Sequence, residues 1–169
     1  MTELGRNLAI LLVRELETFE REIGLFGDDE SIWRTVSGCP NSTANSALHV
    51  AGNLRYYVGA VLGRTGYVRD RDHEFGRRSG RRSDVQAELR AAIRDVAATL
   101  PALPDAVFAG DFPEPVNGQR LNTGRFLMHL CAHAAYHLGQ ADYVRRAVTE
   151  DGRSSGPVPL SALVADPAP

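Results

Sequence analysis

The sequence predicts an all-α fold, a four-helix bundle with a long crossover between its second and third helices. Apolar residues recur at steps of three and four in four stretches of the 169-residue chain, as they do along the buried face of a helix. Residues 63–82 separate the second stretch from the third, whereas bundle connections usually have about 2 to 8 residues. A helix of about 20 residues spans roughly 30 Å. A connection of this length can therefore cross the bundle and begin the next helix parallel to the last.

The first helix is predicted over about residues 2–23. Its apolar residues keep helical spacing, and Gly24 and Gly27 with the aspartates that follow end it. The lone tryptophan, Trp33, stands in the next connection and is expected to pack over one end of the bundle.

The second helix is predicted to begin near Asn41, Ser42 and Thr43, which are good N-cap residues, and to fade at Gly63 or Gly66. Its apolar stripe consists of Leu48, Ala51, Leu54, Val58 and Val61. Three polar or aromatic residues lie on the flank of that stripe: His49, Asn53 and Tyr56.

The connection over residues 64–82 is rich in arginine, with Asp70, Asp72 and Glu74 interleaved. The arginines could bind an anionic cosubstrate, but the interleaved acidic residues favour a solvated loop. His73 lies in the same connection and is also predicted to be exposed to solvent.

Ser83 followed by Gln86 predicts a capping box that opens the third helix, and Pro101 stops it. Residues 105–118 alternate short apolar pieces with turn residues, which predicts an irregular or hairpin-like excursion.

The fourth helix is predicted from Asn122 or Thr123 to residue 148, and it carries three histidines at steps of four. These are His129, His133 and His137. Residues four apart lie one above the other on a helix, so two such imidazoles form half of a metal site. A third ligand must come from elsewhere, and His49 is the best candidate. The alternative is that all three are surface or hydrogen-bonded core histidines.

Three neutral imidazoles hold a divalent ion and leave positions open for water or substrate. Zinc is the first choice, and nickel, iron(II) and manganese also accept nitrogen ligands. Asn53 and Gln140 are candidates to orient a bound ligand. The tyrosines Tyr56, Tyr57 and Tyr136 are assigned to the core or crevice wall rather than to acid–base catalysis. Gly139 is expected to allow close approach of a neighbouring helix.

Composition narrows the class of protein. A net charge of -2 gives no reason to expect nucleic acid or an anionic membrane as partner, and no apolar run reaches the length of a membrane span. No signal peptide is expected. Cys39 and Cys131 form no CxxC pair, which indicates a reducing cytoplasm. One domain is predicted over residues 1–150, followed by a loosely ordered tail over residues 151–169.

These features together resemble the DinB-like superfamily, whose signature on the fourth helix is similar to HxxxHxxxHxGQ. Here the signature reads His129, His133, His137, Gly139 and Gln140. The resemblance implies a homodimer of four-helix bundles and a metal site made by His49, His133 and His137. It leaves His129 outside the ligand set, in the pocket with Asn53, Tyr56 and Gln140. Leu138 departs from the arginine that many members carry there.

Some DinB-like proteins are thiol-dependent transferases or isomerases that use mycothiol or bacillithiol, including a mycothiol-dependent maleylpyruvate isomerase. The resemblance therefore implies that a metal ion binds a small thiol, lowers its pKa and presents it to an electrophile. A metal-dependent hydrolase is a variant of this hypothesis, weakened because the sequence shows no second carboxylate near the histidines to act as an obvious base. Two further alternatives are a non-catalytic, stress-associated bundle that binds a metal or small ligand, and a structural bundle without metal.

Overall fold

The computed structural model describes residues 2–156 and 160–164, and six α-helices lie within them. They are α1 (Glu3–Gly24), α2 (Thr43–Leu54), α3 (Arg71–Gly76), α4 (Arg82–Thr99), α5 (Asp105–Ala109) and α6 (Thr123–Thr149). A π-helical segment, Arg55–Leu62, continues α2, and short 3₁₀ turns occupy Ser31–Trp33, Leu100–Ala102 and Leu160–Leu163. The predicted all-α class is confirmed.

The four long helices α1, α2, α4 and α6 form the bundle, in which α1 and α2 each pack against both α4 and α6. Gly59 lies against Asp95 of α4, and Gly63, four residues later, lies against Thr99, so α2 and α4 run parallel. The long crossover between them is therefore confirmed. Every helix of the described residues is too short or too polar to cross a bilayer.

Side-chain caps define the first residues of three of the four long helices. The side chains of Thr2, Ser42 and Asn122 accept hydrogen bonds from the first turns of α1, α2 and α6, and Ser42 forms a reciprocal capping box with Asn45. The predicted starts of these helices are confirmed to within a residue or two.

The predicted capping box at the start of α4 is wrong. The helix begins at Arg82 after an N-cap residue, Arg81, whose side chain makes no capping bond. Instead the backbone N–H of Arg82 donates to the Asp29 carboxylate at 2.9 Å, and the guanidinium of Arg82 donates to the Phe26 carbonyl. The start of α4 is thus held by the chain that follows α1, which a local motif does not reveal.

The crossover is a packed segment rather than the expected solvated loop. It contains α3, and the Glu74 side chain within it is buried while His73 is exposed as predicted. The side-chain amide of Asn45 donates to the backbone carbonyls of Glu74 and Arg77 at 2.9 and 3.0 Å. The indole N–H of Trp33 donates to the Gly80 carbonyl at 2.8 Å. These bonds satisfy buried polar groups and hold the crossover against α2 and the Ser31–Trp33 turn.

Residues 105–118 contain a short helix, α5, that the sequence did not suggest, followed by the expected hairpin-like turn. In that turn the backbone N–H of Phe112 donates to Leu121 at 2.7 Å, and Val116 and Gln119 exchange bonds at 2.9 and 3.0 Å. The turn leads directly into α6. It therefore lies next to the start of the helix that carries the three histidines.

Residues 157–159 and 165–169 of the predicted tail lie outside the described residues. The carbonyls of Asp151 and Arg153, at the start of that tail, accept hydrogen bonds from the buried Arg145 of α6. The division into a bundle over residues 1–150 and a loose tail stays a prediction.

Candidate metal centre

Three histidines from two helices meet in the bundle. The Nε2 atom of His49 on α2 lies 3.3 Å from Nε2 of His133 on α6. The ring centroid of His137 lies 4.9 Å from that of His49 and 4.6 Å from that of His133. One ligand atom from each ring lies within 4.8 Å of the other two. The predicted set His49, His133 and His137 is therefore brought together.

The register between α2 and α6 produces this meeting. The hydroxyl of Thr43 donates to the Ala141 carbonyl at 3.1 Å, and the two helices run in opposite directions from that bond. Six residues further along α2 is His49, and six residues back along α6 is Ala135, midway between His133 and His137. His49 therefore faces the gap between two rings that stand on successive turns.

The cluster is chemically suited to a divalent cation. Burial lowers the pKa of His133 to about 4, and the neighbouring imidazoles of His137 and His49 add to the effect. Burial also lowers the pKa of His137, with a further contribution from His49, while a hydrogen bond with Gln140 opposes the shift. The rings of His133 and His137 are consequently neutral near pH 7 and have lone pairs to offer. Converging neutral imidazoles fit zinc and its neighbours in the first transition series.

The carboxylate of Glu74, which the sequence did not reveal as a site residue, forms a hydrogen bond with His49. The Nδ1–H of His49 donates to Oε2 of Glu74 at 3.0 Å, so its Nε2 lone pair faces the other rings. Arg69 donates from Nε and Nη2 to the two oxygens of Glu74 at 2.7 and 2.8 Å. Burial raises the pKa of Glu74, but the hydrogen bonds from Arg69 and His49 outweigh it, so the pKa falls and the group stays ionised. A carboxylate in this position fixes the tautomer and raises the basicity of a metal-binding histidine.

This finding corrects the expectation that no carboxylate lies near the histidines. In the sequence, Glu74 looks the same as Asp70 and Asp72, which are exposed. Glu74 differs from these two residues because its side chain packs against Gly52 of α2. A Cβ at Gly52 would lie 2.2 Å from Oε1 of Glu74. Only a residue without a side chain leaves room for the carboxylate to reach His49 at this point.

The remaining predicted site residues have different surroundings. His129 is exposed, with its ring 6.0 Å from that of His133, and it is not among the three clustered histidines. Asn53 is buried, and its Oδ1 has no hydrogen-bond partner among the described residues. A hydrogen bond to Glu114 raises the pKa of Tyr56, so its hydroxyl is engaged by that carboxylate. Gln140 is exposed beside His137.

Two cavities adjoin the ends of the histidine row on α6. The first, here called the glycine cavity, has a volume of about 530 Å³ and lies between the α1–α2 connection and α6, with Gly139 and Gln140 on its wall. The second, here called the hairpin cavity, has a volume of about 620 Å³ and lies under the 111–122 turn, with Arg125 and His129 on its wall. Both volumes are in the range of small-molecule sites.

Replacement of Glu74 by glutamine is expected to weaken binding of zinc by about 10- to 100-fold. The amide cannot supply the negative charge that polarises His49, and it leaves the half-buried Arg69 without its ion pair. Isothermal titration of the metal-free protein with zinc measures the change. Asp72→Asn, an exposed carboxylate of the same helix, is the matched control and should bind as the unchanged protein does. Equal affinity in Glu74→Gln would show that the carboxylate does not act on the ligand.

The fold and the site together define a class: crossover four-helix bundles in which the second long helix contributes one histidine and the last contributes two, as in the DinB-like superfamily. Residues 8–150 match the family model described as Mycothiol-S-transferase. The match covers most of the chain, so the chain belongs to the mycothiol-S-transferase family, a DinB-like family. No curated protein matches the sequence.

Proposed function

We propose that the protein is a divalent-metal-dependent S-transferase that uses a small thiol, mycothiol or a relative such as bacillithiol. His49, His133 and His137 are the proposed ligands, and zinc is the first-choice ion. The observation that carries the proposal is the convergence of three imidazoles, two of them neutral by burial, in a chain of this family. The alternative is a non-catalytic bundle that binds the metal or a small ligand.

An ion held by these nitrogens would act as a Lewis acid and would lower the pKa of a thiol brought to it. In the transfer step the thiol loses its proton to solvent, its sulfur forms a bond to the electrophilic carbon, and the leaving group departs with its electron pair. Glu74 holds the ring of His49 in one orientation and one tautomer throughout. Asn53, one turn beyond His49, remains a proposed second residue of the site, and its buried Oδ1 has no hydrogen-bond partner among the described residues.

The position of Glu74 also favours thiol transfer over hydrolysis. A hydrolase needs a base that reaches a water molecule on the open side of the site. Glu74 lies on the opposite side of His49, and its two oxygens already accept bonds from Arg69 and His49. A thiol of lowered pKa needs no such base, because its proton leaves before the attack.

The proposal also includes that the protein acts in the cytoplasm as a homodimer. Two large side chains of α6 that line neither cavity are exposed in the single chain: Met128 and Tyr136. A second copy is suited to cover them. With a net charge of -2, nucleic acid is not a proposed partner.

The test uses protein purified without a histidine tag, stripped with a chelator and reloaded with zinc, nickel, iron(II) or manganese. We expect mycothiol consumption with an electrophilic acceptor to require the ion and to vanish on stripping. Metal uptake without turnover of any thiol would favour the non-catalytic alternative. Equal turnover by the stripped protein would refute the role of the ion.

A further inference from the structure

We propose that the glycine cavity is the acceptor site and takes a neutral, apolar electrophile of about one aromatic ring. The assignment of this cavity to the acceptor rests on the proposed function. The cavity itself and the kind of molecule that it takes are argued from the structure alone. Nothing in the family match specifies the electrophile.

The wall of the glycine cavity carries no charged side chain among the described residues. Its apolar surface comes from the α1–α2 connection on one side, through Val36 and Pro40, and from α6 on the other, through Tyr143 and Val144. Burying a charged group against such a wall has a large free-energy cost, because no oppositely charged side chain of the described residues compensates for the lost water. An apolar ring gains free energy there from the removal of its surface from water.

The same cavity reaches both helices that carry the histidines. Ser46 on its wall stands one turn before His49 on α2, and Gln140 stands one turn after His137 on α6. Gln140 is also hydrogen-bonded to His137. A ring held against Tyr143 and Val144 therefore lies about two turns of α6 beyond His137, on the side of that helix where Gln140 stands between them.

Gly139 lies on the wall of this cavity. The sequence suggested that Gly139 admits a neighbouring helix, but a Cβ built there meets no atom within 4 Å. Glycine weakens a helix by about 1 kcal/mol relative to alanine, and no packing contact accounts for it here. A larger side chain at this position would extend into open space beside the cavity.

The hairpin cavity has the opposite character. Arg120 and Arg125 line it together with the amide side chains of Asn117 and Gln119. Such groups form many hydrogen bonds and suit a charged or polyhydroxylated molecule. The two cavities thus differ in the chemistry they accept, and a carboxylate on the acceptor distinguishes them.

The experiment follows alkylation of Cys39, which lies on the wall of the glycine cavity and is exposed. Burial raises the pKa of the second cysteine, Cys131, to about 11, so iodoacetamide reacts with Cys39 first. The probe ligands are 1,3-dinitrobenzene and 3,5-dinitrobenzoate, which share a ring and differ by a carboxylate. Neither has a leaving group, and the readout requires no metal and no thiol.

We expect 1,3-dinitrobenzene at ten times its dissociation constant to slow alkylation of Cys39 by about tenfold. The carboxylate analogue should protect more weakly. In Gly139→Leu, whose new side chain enters the open space and is a better helix former, 1,3-dinitrobenzene should no longer change the rate. Ala132→Leu, at an exposed position of α6 outside both cavities, is the matched control and should behave as the unchanged protein does.

Three outcomes would overturn the proposal: no protection by the neutral ring, stronger protection by the carboxylate analogue, or equal protection in Gly139→Leu. Alkylation that slows with protein concentration in the absence of ligand would show that a second copy covers the cavity, which also overturns it. A protein that shows the expected protection but turns over no thiol would retain the ligand site while the transferase proposal fails.

Discussion

Replacement of His133 by alanine is expected to reduce affinity for zinc by more than about 100-fold, beyond the loss caused by removing an outer hydrogen-bond partner. The ring centroid of His133 lies 5.1 Å from that of His49 and 4.6 Å from that of His137, and its Nε2 atom lies 3.3 Å from that of His49. Its removal leaves two imidazoles where the ion needs three protein donors. Metal analysis by mass spectrometry after dialysis of untagged protein against zinc measures the loss.

His129→Ala is the matched control, because His129 is the same residue type one turn earlier on the same helix and is exposed. It should retain one equivalent of zinc. If His129→Ala loses the ion and His133→Ala keeps it, the ligand set is wrong. Equal retention of zinc by both variants would mean that binding does not depend on His133, and absence of zinc from both variants and from the unchanged protein would mean that the cluster is a hydrogen-bonded core feature without a metal.

The second large effect is expected from Arg145→Met, which should lower the free energy of unfolding by about 3 to 5 kcal/mol. Arg145 is completely buried and donates to the buried Glu22 of α1 at 2.5 Å and to Asp142 at 3.2 Å. It also donates to the carbonyls of Asp151 and Arg153. Its removal leaves the Glu22 carboxylate buried without a partner, and that cost exceeds the net value of the pair itself. Urea unfolding followed by circular dichroism measures it.

A double variant separates the charge from the packing. Glu22→Leu combined with Arg145→Leu removes both charges and should be more stable than Arg145→Met, because an apolar pair has no uncompensated ion. Arg146→Met, which breaks a partly exposed pair with Asp142, is the control and should cost no more than about 1 kcal/mol. A double variant as unstable as the single one would contradict this account and place the loss in packing.

The bundle was largely predictable because helix periodicity is a local property of the chain. The apolar residues that the pattern assigned to the stripe of the second helix, such as Leu48, Ala51, Leu54 and Val58, are buried. Caps such as Ser42 and Asn122 also act within one turn and are readable. The start of α4 at Arg82 could not be predicted in this way, because Asp29 and Phe26, in another part of the chain, form the hydrogen bonds that hold it.

The candidate site divides in the same way. The step of four that stacks His133 above His137 is a property of one helix, and His49 was found because it stands on the flank of its own apolar stripe. Glu74 was missed, because its burial depends on the crossover lying across α2 and on the missing side chain of Gly52. The open space at Gly139 was misread for the same reason.

The order of residues by itself determined which side chains share a helix face, because a helix repeats every 3.6 residues whatever lies around it. It thereby determined the all-α bundle, the row of imidazoles on α6 and the candidate third ring on α2. Only the tertiary structure decided what surrounds them: the carboxylate of Glu74 behind His49, and two cavities of unlike charge at the ends of the row. Those contacts join residues tens of positions apart, and their distances depend on how the helices and the crossover pack.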